Sequence, residues 1–443
     1  MQAGWARVDR PRIPFHQCSN IEEAMRNRTK VVALFASLLL GGSLAIAPAA
    51  ADQPSGPTVS KALAKPLKAA NEAMQARNWD AALTSIKEAQ STAGEKSGYD
   101  NFIINQMLGF IYAQKQDYVS AAPALEAAAQ SQYATPEQQK GWLRAVMGSY
   151  FAQKNYAKTV EIGEQAVKRG VNDSETYTTI ADSQSKLGNW KDAAATIQQV
   201  VDHQSKPDKK LLEFQWNCYV KVNDSADAGK VIEKLVSYYP EPDYWLNALA
   251  PLSRMDIKDA QLQLNVYRLM NDVGVLKRST DYAEMAELAL DQGYPGEAQA
   301  ILEKAFAQKA FTEQRDKDRY QHLLDGVKQR ATADIAQLGS RENDAAAAAT
   351  GDAYLRVGAS YLSYGQTDKA LAAINKGIAK GNLKSADDAR LLLGIAKLRA
   401  KNAADAERDF DKVSASSNVA YARLGRLWAL HAVGAGGAHS HTA

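Results

Sequence analysis

Residues 108–128 read LGFIYAQKQDYVSAAPALEAA, and this stretch decides the fold. In it a small residue, Gly109, is followed by Tyr112, a polar turn and a second aromatic residue, Tyr118. Small residues and one leucine then recur at the three- and four-residue spacing of a single helical face. The stretch therefore predicts two antiparallel helices joined by a tight turn, with small side chains where the helices approach each other.

The same pattern recurs along the chain, with further clear copies at residues 181–200 and 357–377. Successive copies lie 32–39 residues apart, except for one gap of 72 residues that equals two periods. This gap predicts a degenerate or elongated helix pair at about 311–350. The small residue of each second helix falls at Ala82, Ala121, Thr159, Ala193, Ala228, Ala260, Ala298, Ala370 and Ala406.

These key positions resemble those of the tetratricopeptide repeat, whose period is about 34 residues. The resemblance implies an all-α fold, a right-handed α-solenoid of antiparallel helix pairs. One pair cannot bury its own apolar face, so neighbouring pairs stack. Glycine and asparagine are expected to supply the turns, at Asn78, Gly188-Asn189 and Gly365. The aromatic residues that open the second helices are expected in the core: Trp79, Tyr118, Tyr156 and Trp190.

The N-terminal region carries the parts of a secretory signal peptide. Residues 25–30 are basic, residues 31–47 are apolar and uncharged, and small residues then lead to a predicted cleavage between Ala51 and Asp52. The apolar run is short for a membrane span, which needs about 20 residues, although a retained anchor stays open. Residues 1–24 read as sequence upstream of the true start at Met25. We therefore expect a periplasmic protein of a Gram-negative envelope, without a stable membrane span after cleavage.

Charge and cysteine content narrow the function. Residues 1–51 hold six basic and three acidic side chains, so the remaining chain carries 47 of each sign and is formally neutral. This balance disfavours nucleic acid and anionic membranes as partners. Cys218 is the one cysteine after the leader, and its apolar neighbours predict that it is buried.

The domain boundaries follow from breaks in the repeat. Residues 52–60 form a predicted linker and residues 61–240 an N-terminal array. Pro240 and Pro242 favour an extended segment. Residues 241–433 form a second array that ends in a capping helix, and residues 434–443 a disordered tail. A loop or soft helix is expected at residues 340–351.

No arrangement of residues suggests catalysis. The chain lacks a glycine-rich phosphate loop, a nucleophile elbow and a zinc-protease motif. His431, His439 and His441 could hold a metal weakly, but a site needs three or four fixed ligands. We therefore predict no enzymatic activity, no catalytic residue, no cofactor and no metal. An enzyme would require a carboxylate pair or a nucleophile with its base.

The resemblance implies that first helices line a concave groove for an extended peptide or a helix of another protein. Polar and aromatic side chains between the packing positions are the candidates for binding. They are Asn101, Asn105, Tyr112, Arg144, Tyr177, Asp182, Gln215, Asn247 and Arg356.

A narrower resemblance lies in the middle of the chain. Residues 239–245 read YPEPDYW, residues 281–290 read DYAEMAELAL, and GYPGEAQAILEKA follows at 293–305. This order is similar to exported tetratricopeptide proteins encoded with TonB, ExbB and ExbD. It implies an accessory of an energised outer-membrane transport system. The alternative is an envelope assembly or polysaccharide-export factor, which the same fold would serve.

Overall fold

The computed structural model describes residues 57–436, which form twenty α-helices and no β-strand. Consecutive helices pack against each other from residue 61 to 221 and from residue 242 to 436, so the predicted all-α solenoid is confirmed. The helices are α1 (Lys61–Gln75), α2 (Trp79–Ser91), α3 (Gly98–Gln114), α4 (Tyr118–Gln130), α5 (Pro136–Ala152), α6 (Tyr156–Lys168), α7 (Ser174–Lys186), α8 (Trp190–Val201), α9 (Lys209–Lys221), α10 (Ser225–Tyr238), α11 (Pro242–Arg254), α12 (Ala260–Asp272), α13 (Ser279–Asp291), α14 (Pro295–Ala307), α15 (Gln314–Ala347), α16 (Asp352–Ser363), α17 (Thr367–Lys380), α18 (Ala386–Arg399), α19 (Ala403–Ser414) and α20 (Val419–Gly436).

The described residues form two compact units, an N-terminal unit (57–228) and a C-terminal unit (229–436). The division falls inside α10, whereas the sequence places a domain boundary at Pro240 and Pro242; that boundary stays a prediction. The expected extended segment is short, because Pro242 is the first residue of α11. Proline is well suited to this position, where its missing N–H would have no helical partner.

The small residues of the second helices are buried where the repeat pattern places them, with one exception. Thr159 and seven of the predicted alanines are less than 9% exposed. Ala260 is only half-buried, because it is the first residue of α12. Leu264, one turn further on, is fully buried in its place. The predicted burial of Cys218 is also confirmed.

In the turn between the two helices of a pair, the residues that end the first helix are followed directly by the residue that caps the second. Arg77, at φ 55°, takes the left-handed conformation, and its N–H donates to the carbonyl of Met74 at 3.0 Å. Asn78 donates its N–H to the carbonyl of Ala73 at 2.9 Å, which completes a Schellman end. The Asn78 side chain then accepts from the N–H of Ala81 at 3.1 Å and caps α2. The same arrangement occurs at Gln116–Asp117, Lys154–Asn155 and Lys401–Asn402.

The sequence led us to expect that Asn78 adopts the left-handed conformation of this turn. Arg77 adopts it instead. Asparagine favours the cap because its side-chain oxygen satisfies a free N–H of the first helical turn. The expectation is confirmed at Gly188 and Gly365, where φ is 83° and 71°.

These caps make a direct prediction about stability. Replacing Asn78 by alanine removes the bond to Ala81 and is expected to lower the free energy of unfolding by about 1 kcal/mol. Asn189 holds the same position before α8 but makes no side-chain cap bond, so N189A is the matched control. Urea denaturation of both variants checks the prediction. An N189A loss as large as that of N78A would show that the cap bond is not the cause.

The aromatic residues that open the second helices lie at the edge of the core and are half-buried. The Trp79 ring meets the Phe110 ring edge to face at 5.8 Å, and the Tyr156 ring meets Phe151 at 5.9 Å. Trp79 thus contacts the next helix pair and Tyr156 contacts its own. The expected core position holds only in part, because each of these aromatic residues keeps some of its surface in contact with solvent.

Helix α15 replaces the helix pair that the sequence predicts at 311–350. It is one continuous helix of 34 residues, and it includes most of the expected loop at 340–351. Its buried side chains follow one another at steps of four, three, four, seven and seven residues and form one narrow apolar stripe. The stripe packs between α14 and α16, so no second helix is needed to cover it. Its buried members are Tyr320, Leu324, Val327, Ala331, Leu338 and Ala345.

The C-terminal unit closes on itself. Its last helix, α20, packs against α18 and α19 and also contacts α11 and α12. The guanidinium of Arg423 on α20 donates to the carbonyl of Ala248 on α11 at 3.3 Å. Helix α20 is the predicted capping helix, and it extends to Gly436, so the first residues of the expected disordered tail are helical.

No helix within residues 57–436 combines the length and apolar character that crossing a membrane requires. The predicted signal segment, its cleavage position at Ala51 and Asp52, and residues 437–443 lie outside the described residues.

Candidate functional site

Three of the predicted groove residues share one face of α3. Asn101, Asn105 and Tyr112 are spaced by four and seven residues, so their side chains lie along one stripe of the helix. Asn101 is exposed, whereas Asn105 and Tyr112 are half-buried. Within residues 57–436 none of the three side chains forms a hydrogen bond. We call these three residues the α3 stripe.

Arg144 is engaged in holding two helices of the array together. Its Nε and Nη2 atoms both donate to Oδ2 of Asp173, at 3.0 and 2.7 Å, and Asp173 caps α7 through the N–H of Thr176. Burial raises the pKa of Asp173, but the Thr176 hydrogen bonds and the charge of Arg144 outweigh it and leave this pKa below its usual value. Tyr177, one turn into α7, is half-buried.

Two further predicted groove residues of the N-terminal unit are buried. Asp182 is 6% exposed and Gln215 is fully buried. The amide of Gln215 donates to the carbonyl of Ala194 at 3.2 Å and to Oε1 of Gln198 at 2.6 Å. These bonds join α9 to α8. Gln215 thus has a role in packing, which its position in the repeat does not reveal.

The remaining two predicted residues belong to the C-terminal unit. Asn247 on α11 donates to the carbonyl of Asp243, one turn earlier, at 2.7 Å. Arg356 on α16 is exposed. The structure therefore brings Asn101, Asn105 and Tyr112 together on one helix, while the binding role of all nine residues stays a prediction.

A cavity of about 250 Å³ lies in the C-terminal unit, lined by α12, α13, α14, α16 and α18. Its lining combines apolar side chains with charged and amide side chains. The apolar lining comes from Met285, Ala300, Ile301, Ala359, Leu362, Leu392 and Ile395. The charged and amide lining comes from Arg268, Asn271, Asp272, Glu297, Lys304 and Arg399.

A buried ion pair forms one side of this cavity. Arg268 donates from Nε to Oε1 of Glu297 at 2.7 Å and from Nη2 to Oε2 at 2.5 Å, and the two side chains are 9% and 16% exposed. The third guanidinium nitrogen, Nη1, donates to Oδ1 of Asn265 at 2.7 Å. Such a bidentate ion pair holds both groups in a fixed geometry. Arg268 and Glu297 therefore balance each other in charge.

A second group of charges surrounds Asp272, the last residue of α12. Arg399 donates to Oδ1 of Asp272 at 2.6 Å, although the residues are 127 positions apart. The Asp272 side chain is only 6% exposed, and its Oδ2 has no hydrogen-bond partner among the described residues. His431 Nε2 lies 3.9 Å from this oxygen. Burial lowers the pKa of His431 below its usual value, and this favours the neutral ring at pH 7.

Lys304 completes the polar wall. Its Nζ donates to Oδ1 of Asn271 at 2.6 Å and lies 3.4 Å from the Asn271 carbonyl oxygen. Both partners are neutral. Within residues 57–436 no carboxylate pairs with this ammonium group.

Sequence reasoning missed this cavity, because its charged residues come from three helices and one of them, Arg399, lies 127 positions from its partner Asp272. Arg268 lies inside an apolar run, between Tyr267 and Leu269, which is the one local sign of a buried charge. Within residues 57–436 no group of three or more metal-ligating side chains occurs.

Comparison with known proteins supports the repeat fold. Residues 67–137 match the model of the tetratricopeptide repeat family. No curated protein matches this chain. Similar solved structures include a tetratricopeptide repeat protein from Parabacteroides merdae, with 13% identity, a TM-score of 0.27, and coverage of 74% of this chain and 98% of that one. Yeast Tom70 is similar at 12% identity and a TM-score of 0.24, with coverage of 84% and 95%. The family match supports the tetratricopeptide resemblance over residues 67–137, and the link to TonB systems stays a prediction.

Proposed function

We propose that this chain is a non-enzymatic scaffold that binds another protein through the α3 stripe of its N-terminal unit. The observation that carries the proposal is the row formed by Asn101, Asn105 and Tyr112, whose side-chain polar groups have no hydrogen-bond partner within residues 57–436. An asparagine amide both donates and accepts, so it can pair with the backbone of an extended peptide. A tyrosine adds apolar contact area and one hydroxyl group.

We further propose that the scaffold works in the periplasm as an accessory of a TonB-type transport system. The signal-like residues 25–51 and the neutral charge of the chain after Ala51 support export and a protein partner. The TonB assignment rests on the similarity of residues 239–305 to exported proteins of such systems. N-terminal sequencing of the protein from a periplasmic fraction should begin at Asp52. A chain that begins earlier, or that stays in the membrane, would contradict cleavage.

A photo-crosslinking amino acid placed at Tyr112 in living cells tests the binding face. We expect it to capture a partner protein, and the yield to fall about tenfold or more when Asn105 is also replaced by alanine. The same crosslinker at Tyr156, which opens the second helix α6, is the matched control and should capture little.

The identity of the captured protein tests the finer proposal. Capture of an inner-membrane component that energises transport supports the TonB assignment. Capture of a polymer synthase or exporter supports the alternative role in envelope assembly. If Tyr112 and Tyr156 crosslink equally, or if neither captures a protein, the α3 stripe is not the binding face.

A further inference from the structure

The turns that follow the first helices of the N-terminal unit lie along one edge of the array. Short connections make neighbouring helices antiparallel, so α1, α3, α5, α7 and α9 all end on the same side. Residues of successive turns contact each other there, in the pairs Lys115–Asp80, Gln153–Tyr118 and Lys221–Trp190. Each turn runs from the last residue of a first helix to the third residue of the helix that follows. We call these five segments the turn edge: residues 75–81, 114–120, 152–158, 186–192 and 221–227.

Exposed apolar side chains of the N-terminal unit are confined to this edge. Val119, Leu187 and Val222 lie on it and are 67%, 45% and 39% exposed, and Val220 directly precedes the last segment. The opposite edge, formed by the connections between pairs, carries no exposed large apolar side chain within residues 57–228. Single exposed apolar residues are ordinary, but their restriction to one edge indicates a surface with a partner. Half-buried aromatic rings accompany them, at Trp79, Tyr118, Tyr156 and Trp190.

The turn edge also carries more positive than negative charge. Its five segments contain seven basic side chains, six of them lysines, and five acidic ones. The connections on the opposite edge, counted in the same way, contain six basic and seven acidic side chains. The neutral charge of the whole chain after Ala51 does not show this local excess. A surface that carries negative charge would complement it.

The combination of residue types favours lipid over protein as the partner. Lysine is depleted from protein–protein interfaces, yet six lysines lie among the apolar side chains of the turn edge. Tryptophan, tyrosine, lysine and aliphatic residues together are typical of surfaces at the boundary between lipid and water. A lysine can lay its aliphatic stem on apolar groups and keep its ammonium near lipid phosphates.

We propose that the turn edge binds the surface of a lipid bilayer that contains anionic lipids. Val119, Leu187 and Val222 enter the headgroup region, the aromatic rings lie at its boundary, and the lysines contact lipid phosphates. This binding is peripheral and needs no membrane-spanning helix. It is independent of the α3 stripe, none of whose residues belongs to the turn edge.

A fluorescent label on the turn edge of the full chain tests the proposal. Cys18 is replaced by serine and Cys218 is buried, so an introduced cysteine is the one that reacts. A nitrobenzoxadiazole label is placed on the edge by V119C, L187C or V222C. With vesicles of phosphatidylethanolamine and about 30% phosphatidylglycerol, we expect its emission to shift to the blue and to rise about twofold or more, because it enters a less polar region. Q132C, on an exposed loop of the opposite edge, is the matched control and should not change.

Lysine variants test the anionic component. K154Q/K191Q removes two exposed lysines of the turn edge. In the chain labelled through L187C it should weaken binding to these vesicles by about tenfold or more, because each lysine near an anionic surface contributes roughly fivefold. Binding to vesicles of phosphatidylcholine alone should change little. K168Q/K210Q removes two exposed lysines of the opposite edge and should bind as the unsubstituted labelled chain does.

The label reports its own surroundings, so attachment of the chain through another segment does not produce the expected signal. Labels at the three edge positions that respond no more than the label of Q132C would overturn the proposal, as would an equal loss of binding in both lysine pairs. A blue shift that appears without vesicles as the protein concentration rises would also overturn it, because the turn edge would then join two copies of the chain. Crosslinking at Tyr112 tests the α3 stripe separately, so failure of one proposal leaves the other standing.

Discussion

Replacing Glu297 by alanine is expected to lower the free energy of unfolding of the C-terminal unit by about 3–5 kcal/mol. The change leaves the guanidinium of Arg268 buried without its counter-charge, and that side chain is 9% exposed. Taking a charge out of water costs several kcal/mol unless a partner compensates for it. The remaining bond, from Nη1 to Asn265, has a neutral acceptor. Urea denaturation followed by circular dichroism measures the loss.

Two further variants separate burial from charge. Glu303 on the same helix pairs with Lys328 in solvent, with side chains 46% and 48% exposed, so E303A should cost no more than about 1 kcal/mol. The double variant R268M/E297L removes both charges and should recover most of the stability, because apolar residues of similar size can replace a buried pair. A double variant as unstable as E297A would show that packing, and not the unpaired charge, causes the loss.

Replacing Phe410 by alanine is expected to cost about 3–5 kcal/mol and to loosen α20. The Phe410 ring is fully buried and stacks on the ring of Trp428 with 5.4 Å between centroids. A Cβ atom at Gly394 would lie 2.5 Å from this ring, so the ring lies directly against the backbone of α18. Its removal leaves a cavity among α18, α19 and α20 that the surrounding helices cannot fill fully.

Hydrogen exchange locates this effect. The amides of α20 should exchange faster in F410A, because that helix loses the aromatic surface on which Trp428 packs. Val419, at the start of α20, is 68% exposed, and V419A should change stability by less than about 0.5 kcal/mol. If α20 stays as protected in F410A as in the wild type, then contacts with α11 and α12 hold it in place instead.

The paired helices were predictable because each copy of the repeat carries its own local signals. The alternation of small and large residues sets the face on which two helices pack, and the polar turn before Trp79 or Tyr118 sets where they reverse. These signals act over about one period. The sequence could not tell which turn residue adopts positive φ, because Arg77 and Gln116 do so where glycine would be the usual choice.

Helix α15 shows where periodicity alone was insufficient. A gap of two periods was compatible with a degenerate or elongated pair, but the stretch folds as one helix whose narrow stripe fits between α14 and α16. Predicting the candidate site from local sequence patterns has the same limitation, because such patterns do not show which side chains other helices bury. The position of Asn101, Asn105 and Tyr112 on one helix could be predicted from their spacing, while their binding role stays a prediction. Gln215 occupies a similar repeat position, yet the surrounding helices bury it completely.

Outside α15, the sequence by itself determined the helices, their pairing and the solenoid, because all of these depend on residues less than one repeat apart. Only the tertiary structure decided the closure of the C-terminal unit and the cavity within it. Arg399 on α18 contacts Asp272 on α12 because the helices between them together bring the two residues close in space. Each pair adds a small rotation that no local pattern records, and their sum places two distant charges 2.6 Å apart.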